Sequence, residues 1–214
     1  MDRHTTIPQS AAPAAPFAQG GLVIGITGGS GCGKTTLLNL IREKGGLVLD
    51  CDAIYHQLLN TRSDMTARLE ARFPQAFADG ALDRKKLGAI VFSDPDALME
   101  LNAITHGAVK QEVLRALETR PQLAAIDAIA LFEGGLAELC HVTAAVTAPE
   151  EARVKRLMAR DGITEAYARK RIAAQHPESW FRDRCDYVLE NTGTLDAFAT
   201  KCVAFLKESG IISA

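Results

Sequence analysis

The segment GITGGSGCGKTTLLNL, from Gly25 to Leu40, constrains the fold of this chain more than any other stretch. It continues the apolar run LVIGIT and fits the pattern G-x-x-x-x-G-K-[ST] between Gly28 and Thr35. Closely spaced glycines allow a tight turn in which successive backbone N–H groups face one point. A helix that begins there adds the positive end of its dipole. The segment therefore predicts a buried strand, a loop that cradles phosphate groups, and a helix.

This loop predicts a site for a nucleoside triphosphate and Mg²⁺. We expect Lys34 to reach the β- and γ-phosphates and the Thr35 hydroxyl to ligate Mg²⁺. The alternative is a chance glycine-rich turn, and the apolar strand before it and the helix after it argue against that alternative. The residues expected to contact the nucleotide are Gly28, Gly29, Ser30, Gly31, Cys32, Gly33, Lys34, Thr35 and Thr36.

Short apolar runs and helical stretches alternate after the loop. Buried strands are expected at Leu47–Asp50, Leu123–Leu131, His141–Ala148 and, more weakly, Tyr187–Asn191. Helices begin between them, and Thr194 is expected to cap a helix that ends at Gly210. The alternation predicts an α/β fold with a parallel, doubly wound sheet and a ligand at its carboxyl edge.

Two regions interrupt this alternation. Residues 61–120 carry only helical signals, including a long helix from Ser93 to Arg120. Residues 153–184 are also helical and hold nine basic and four acidic side chains. Helical insertions in a small phosphate-binding sheet indicate an acceptor-binding region at 61–120 and a closing lid at about 153–184. The core of a single domain, 21–214, would then comprise 21–60, 121–152 and 185–210.

Composition excludes several classes of protein. With 214 residues, 47% of them hydrophobic, the chain can bury a sizeable core. Its net charge of −2 gives no reason to expect nucleic acid or an anionic membrane as a partner, and no stretch has the roughly 18 apolar residues of a membrane helix. The five scattered cysteines indicate a reducing cytoplasm rather than disulfides or zinc. We expect a monomer or weak homo-oligomer.

Residues 1–20, rich in Ala and Pro and without a continuous apolar segment, are expected to be a disordered leader.

Carboxylates follow the second and third predicted strands. Asp50 and Asp52 end the second strand, where a carboxylate can accept the proton of an attacking hydroxyl or hold the water shell of Mg²⁺. Asp52 is the stronger candidate, since Asp50 could equally cap the next helix. Four apolar residues follow Asp127, which places it in mid-strand and makes Glu133 the better-positioned carboxylate.

An arginine in the basic region is the candidate for stabilising charge during phosphoryl transfer. Arg160 precedes the Asp161-Gly162 break, from which it could move with a lid. Most other charges there are expected to be a solvated helix face. The guanine-reading motif N-K-x-D of GTP switches is absent from the sequence, and its histidines have no metal-ligand spacing.

The motifs taken together resemble the dephospho-CoA kinase family over about Leu22 to Lys207. The resemblance rests on ITGGSGCGKTT, LDCD, LDR, LNAITH, LFEGGL, RLMARDGIT, RIAAQ and YVLENTG, in this order and spacing. It implies a three-layer P-loop kinase fold, ATP–Mg²⁺ as donor, and the ribose 3′-hydroxyl of dephospho-CoA as acceptor. It also implies Asp52 as base, Lys34 and Arg160 as further catalytic groups, and a set of acceptor-binding residues. That set is Thr27, Asp52, Asp83, Arg84 and His106.

The chain departs from the family pattern on the acceptor side. His56 stands where the family usually has Arg, Gly107 where it has Pro, and Asp127-Ala-Ile-Ala where it has an apolar-Asp-apolar-Pro sequence. Two alternatives therefore stay open from the sequence: a kinase of another small hydroxyl acceptor, such as a nucleoside or nucleotide, and an ATP-binding regulatory module. The lid-like basic region and Asp52 count against the regulatory module.

Overall fold

The structure is a computed structural model and describes residues 21–61 and 63–211. The predicted leader at residues 1–20 lies outside the described residues. The strands are β1 Leu22–Thr27, β2 Leu47–Asp50, β3 Phe77–Ala78, β4 Ala81–Leu82, β5 Leu123–Asp127, β6 Val142–Thr147 and β7 Tyr187–Glu190. The α-helices are α1 Lys34–Glu43, α2 Cys51–Asn60, α3 Asp64–Arg72, α4 Arg84–Val91, α5 Pro95–Leu117, α6 Glu150–Asp161, α7 Glu165–Ala173, α8 Glu178–Arg182 and α9 Leu195–Glu208.

Five strands form one parallel sheet in the order β2-β5-β1-β6-β7, which confirms the predicted α/β architecture. Because β1 lies in the centre, its carboxyl end meets those of β5 and β6. In the register of β2 and β5, Asp50 lies opposite Asp127. Parallel pairing therefore brings both carboxylates to the edge of the sheet where the phosphate loop begins.

Different helices pack on the two faces of the sheet through apolar side chains. The sheet and the helices on either side of it form three layers. On one face, Ile24 and Ile26 pack with Leu37 of α1 and Phe198 of α9. On the other face, Ile126 packs with residues of α5. Strands buried on both faces read as continuous apolar runs, which is why the sequence located them.

Strand β5 is shorter than the sequence predicted. We expected Leu123–Leu131, but β5 ends at Asp127, and the prediction that Asp127 lies in mid-strand is wrong. After it the chain folds back on itself: the Leu136 and Ala137 N–H groups both donate to the Leu131 carbonyl. The apolar residues that suggested more strand line this turn, where Leu131 is fully buried.

Residues 63–108 contribute a second, smaller core beside the sheet. It is built from α3, α4 and the first half of α5, with Leu69 and Phe73 fully buried in it. The expectation of helices alone is wrong in one respect, because β3 and β4 form a two-stranded antiparallel hairpin. The long helix α5 begins after Asp94, whose carboxylate accepts hydrogen bonds from the Asp96 and Ala97 N–H groups.

Helices α6 and α7 pack against each other over the phosphate-loop end of the sheet. Val154 and Leu157 of α6 meet Ala168 and Ile172 of α7. The basic region thus has an apolar seam of its own. Within the described ranges, no helix is both long and apolar enough to cross a membrane.

Candidate active site

The phosphate loop joins β1 to α1 through backbone conformations that favour glycine. Gly28, Gly31 and Gly33 have φ of 128°, 79° and 99°. At Gly28, a β-carbon would also lie 2.2 Å from the Val146 carbonyl oxygen of β6. No described side chain caps the start of α1, which leaves backbone N–H groups of its first turn available to an anion. This is the geometry of an anion site at a helix N-terminus.

Lys34 and Asp127 face each other at the base of the loop. Lys34 Nζ donates to the Gly28 carbonyl at 2.9 Å and lies 3.8 Å from Asp127 Oδ1. That Oδ1 is buried and has no hydrogen-bond partner among the described residues. Burial raises the pKa of Asp127 to about 6, with Lys34 lowering it only in part and Asp50 and Asp52 raising it further. A cation at this point would therefore stabilise the ionised carboxylate.

The two aspartates after β2 have different surroundings. Asp50 caps α2, its Oδ1 accepting a hydrogen bond from the Ala53 N–H at 2.9 Å, as the capping interpretation predicted. Asp52 lies in the first turn of α2, is exposed and lines a pocket. Of the two, only Asp52 has its carboxylate available to a molecule in that pocket.

This pocket lies between α2, α5 and the turn after β5, and it has a volume of about 280 Å³. Its wall is mostly apolar with a few polar groups, as ligand sites usually are. Its lining includes Asp52, Tyr55, Thr105, His106, Ala130 and Gly134. The volume is near the low end for ligand pockets, so a large acceptor would extend beyond it.

The residues expected to hold the acceptor are spread over several positions. His106 lines the pocket. Arg84 is close enough to Tyr55 to offset in part the rise that burial causes in the pKa of the phenol. Asp83 instead caps α4 by accepting from the Lys85 and Lys86 N–H groups. Thr27 is buried and donates to the Ile129 carbonyl at 3.3 Å, so it holds the turn that carries the pocket wall.

Helix α6 and the segment after α7 form hydrogen bonds with the phosphate loop. Arg153 Nε donates to the Ser30 carbonyl at 3.0 Å, and Arg156 Nη1 donates to the Gly31 carbonyl at 3.1 Å. Gln175 accepts from the Ser30 N–H at 2.9 Å and donates to Ser30 Oγ at 2.8 Å. These bonds hold the loop in its open, glycine-dependent shape.

The sequence did not single out these loop contacts, and it also missed Asn191, whose Nδ2 donates to the Cys32 carbonyl at 2.9 Å. The only signals were positional: a basic region for Arg153 and Arg156, and the RIAAQ and YVLEN motifs for Gln175 and Asn191. Contacts between segments so distant in the chain cannot be derived from local periodicity.

Arg160, the predicted lid arginine, lies near the end of α6. Its Nε donates to Asp161 Oδ1 at 2.6 Å, and its side chain is 59% exposed. The structure therefore places Arg153 and Arg156 against the loop and leaves Arg160 on the exposed part of the helix.

Glu133 lies on the turn after β5 and pairs with the segment after α7. Its Oε1 is 2.7 Å from His176 Nε2, and the His176 ring stacks on Trp180 with centroids 4.0 Å apart. The segment after α7 thus contacts two parts of the site. Gln175 binds the phosphate loop, and His176 binds the turn that lines the pocket.

The family model and the curated relatives that match this chain give the same family. The dephospho-CoA kinase family model matches residues 22–197. A dephospho-CoA kinase of Thermus thermophilus is 39% identical over 188 residues, covering 87% of this chain and 91% of the relative. That of Anaeromyxobacter dehalogenans is 40% identical over 192 residues, with the same coverage. The crystal structure of TT1252 from Thermus thermophilus is similar with a TM-score of 0.76 at 38% identity, covering 89% of this chain and 98% of that chain.

Proposed function

The chain belongs to the dephospho-CoA kinase family, and on that premise we propose that this site transfers the γ-phosphoryl group of ATP to the ribose 3′-hydroxyl of dephospho-CoA. The products are CoA and ADP, so the reaction is the last step of CoA biosynthesis. The observation that supports this site best is the position of Asp52, which lines a pocket whose wall includes Ile129, the residue bonded to Thr27 at the start of the phosphate loop.

The loop from Gly28 to Thr36 holds the triphosphate of ATP in this proposal. Its N–H groups bind the phosphate oxygens, and Lys34 moves its ammonium from the Gly28 carbonyl to the β- and γ-phosphates. Because charge builds on the transferring group, these contacts strengthen in the transition state.

Asp52 is the proposed base. It accepts the proton of the 3′-hydroxyl as the oxygen attacks phosphorus in line with the leaving ADP oxygen. Its exposure to the pocket gives the carboxylate access to an acceptor that Thr105 and His106 border.

Two residues fit Mg²⁺, which binds oxygen ligands and keeps several waters. They are Thr35, through its hydroxyl, and Asp127, whose Oδ1 is buried without a partner among the described residues. The described ranges contain no cluster of three or more His, Cys, Asp or Glu side chains. When bound, Mg²⁺ would neutralise charge on the β- and γ-phosphates.

Residues 153–184 are the proposed lid, with Arg160 as its catalytic arginine. Closure would bring the guanidinium from Asp161 to the transferring phosphoryl group. Arg160→Ala should then lower kcat more than it weakens ATP binding. If kcat is unchanged while Arg153→Ala lowers it, the role belongs to the arginine that already contacts the loop.

The cysteines in the described part are free, which accords with a reducing cytoplasm.

Residues 61–120 are the proposed acceptor-binding region. A large acceptor offers remote contacts that fix the 3′-hydroxyl in place.

The experiment is to measure ADP release from ATP–Mg²⁺ with dephospho-CoA, adenosine or AMP, and without acceptor. We expect a far higher kcat/KM for dephospho-CoA, with CoA identified by mass and by a CoA-dependent enzyme that rejects dephospho-CoA. The folded variant Lys34→Ala is the inactive control. Equal use of adenosine or AMP at limiting concentration would refute the acceptor, and acceptor-independent ADP release would indicate a nucleotidase.

A further inference from the structure

Lys110 lies at the rim of the acceptor pocket, although it is not among the predicted site residues. It follows His106 by one turn of α5, and His106 lines the pocket. A β-carbon built on Gly135 would lie 3.0 Å from Lys110 Nζ, and the adjacent Gly134 lines the pocket. The ammonium therefore lies over Gly135, one residue from the pocket wall.

Only a weak interaction holds Lys110 in this place. Its Nζ donates to Glu138 Oε2 at 3.0 Å, and the two side chains are 30% and 75% exposed. Exposed ion pairs contribute little to stability, because water screens them and two side chains lose rotamer freedom. An anion entering at the rim can therefore replace Glu138 at small cost.

The pocket needs such a cation if its ligand is anionic. Asp52 is the one carboxylate in its described lining, which contains no Lys or Arg. The negative charge of Asp52 would repel a diphosphate. A diphosphate-bearing acceptor can bind only where a nearby positive group compensates.

We propose that Lys110 is a specificity-determining residue that binds the diphosphate of the acceptor and releases Glu138 when the acceptor enters. The proposal rests on the proposed function, in which the acceptor carries its diphosphate on the 5′ side of the ribose whose 3′-hydroxyl reacts. The ammonium donates charge-assisted hydrogen bonds to the diphosphate oxygens. Glu138 competes for the same group, so it weakens acceptor binding in the wild type.

The test is the KM for dephospho-CoA at saturating ATP in three variants. Lys110→Ala should raise KM by about tenfold, the equivalent of one hydrogen bond to a charged group. Glu138→Gln should lower KM by about two- to fivefold, because the competing carboxylate is gone. Arg115→Ala, which breaks an exposed pair with Glu112 on the same helix, is the matched control and should leave KM unchanged.

Two further measurements distinguish a Lys110 that binds the diphosphate from one that only stabilises the structure around the pocket. The preference for dephospho-CoA over adenosine should fall in Lys110→Ala, because adenosine carries no diphosphate. Salt should weaken acceptor binding less in this variant than in the wild type. Lys110→Gln, which keeps most of the length of the side chain, should repeat the result if Lys110→Ala folds poorly.

An unchanged KM in folded Lys110→Ala or Lys110→Gln overturns the proposal. So does an equal rise of KM in Lys110→Ala and Glu138→Gln, which would make the pair a structural brace. These outcomes require a wild-type enzyme that produces CoA. If the wild type produces none, the proposed function itself has failed.

Discussion

Asp52 and Asp127 lie at the carboxyl ends of neighbouring strands but differ in their access to solvent. Asp52 is exposed in the first turn of α2, whereas the Asp127 side chain is only 17% exposed and faces Lys34. Two carboxylates with such different surroundings suit different tasks. The exposed group can exchange a proton with an acceptor, and the buried group can hold a cation.

Replacing Asp52 tests the base. Asp52→Asn should lower kcat by about 10²- to 10⁴-fold, the usual contribution of a general base, because the amide cannot accept the hydroxyl proton. The Kd for ATP should change little, since the phosphates are held by the loop. Steady-state kinetics and equilibrium ATP binding on the same preparation measure both. Full kcat in this variant would leave Asp52 as a polar residue of the α2 N-terminus.

Replacing Asp127 tests the cost of its burial. Its pKa of about 6 in the folded state lies above that of an unfolded aspartate, so ionisation is disfavoured in the native protein. The wild type therefore loses stability as the pH rises from about 4 through 6, and the loss is complete above that range. In the presence of a chelator, Asp127→Asn should be more stable than the wild type at pH 8 by about 3 kcal/mol.

Urea unfolding at pH 4 and pH 8 measures this difference. It should fall to about 0.5 kcal/mol at pH 4, where the folded wild type carries the proton and the unfolded aspartate is close to its titration midpoint. A difference that is the same at both pH values would show that the substitution acts by packing and not by charge.

At the scale of elements, the phosphate loop depends on helices outside the sheet. Arg153 of α6 and Gln175 after α7 bond to both sides of Ser30, and Gln175 also accepts from Arg153 Nη2 at 2.7 Å. These contacts fix the loop before a phosphate arrives. The position of the helical region and the shape of the loop are therefore coupled.

Removing one of these contacts should weaken ATP binding. Gln175→Ala deletes two bonds to Ser30, so we expect the Kd for ATP to rise by about three- to tenfold. The KM for dephospho-CoA should change less. Gln111→Ala, an exposed glutamine of α5, is the control. If Gln175→Ala binds ATP like the control, the loop holds its shape without the helices.

Elements with strong local signals could be predicted from the sequence, and their meeting points could not. The β2 bounds and the Thr194 cap of α9 were predicted correctly, because an apolar run and a capping hydroxyl act over a few residues. The end of β5 was missed, since the apolar residues of a buried turn look like strand. The loop motif predicted a phosphate site, but the partners of Ser30 come from distant segments and leave no periodic pattern.

At the scale of the whole molecule, two packing units beside the α6–α7 seam have different tasks. The three-layer sheet carries the loop and the carboxylates, while the smaller core around Leu69 and Phe73 supports α3, α4 and the start of α5. Tyr55 and Leu58 of α2 pack against both units. The pocket lies along this contact, so its shape depends on the smaller core.

Weakening the smaller core should affect acceptor use selectively. Leu69→Ala removes a fully buried side chain and should cost about 2–5 kcal/mol locally. We expect a higher KM for dephospho-CoA and faster hydrogen exchange over residues 63–104, with little change in the Kd for ATP. Leu206→Ala, in the sheet core, should instead lower protection throughout the sheet. Loss of ATP binding in Leu69→Ala would show that the two units unfold together.

The strand order also determines when the sheet can form during synthesis of the chain on the ribosome. The central strand β1 is made first, yet Ile24 pairs with Ala125 of β5 and Val142 of β6, which are made much later. At about 5–20 residues per second, translation must continue for at least several seconds before either partner emerges. During that time the nascent chain carries an unpaired apolar strand and a phosphate loop with no sheet beneath it. The nucleotide site is thus encoded early in the chain but can form only after β6 has left the exit tunnel.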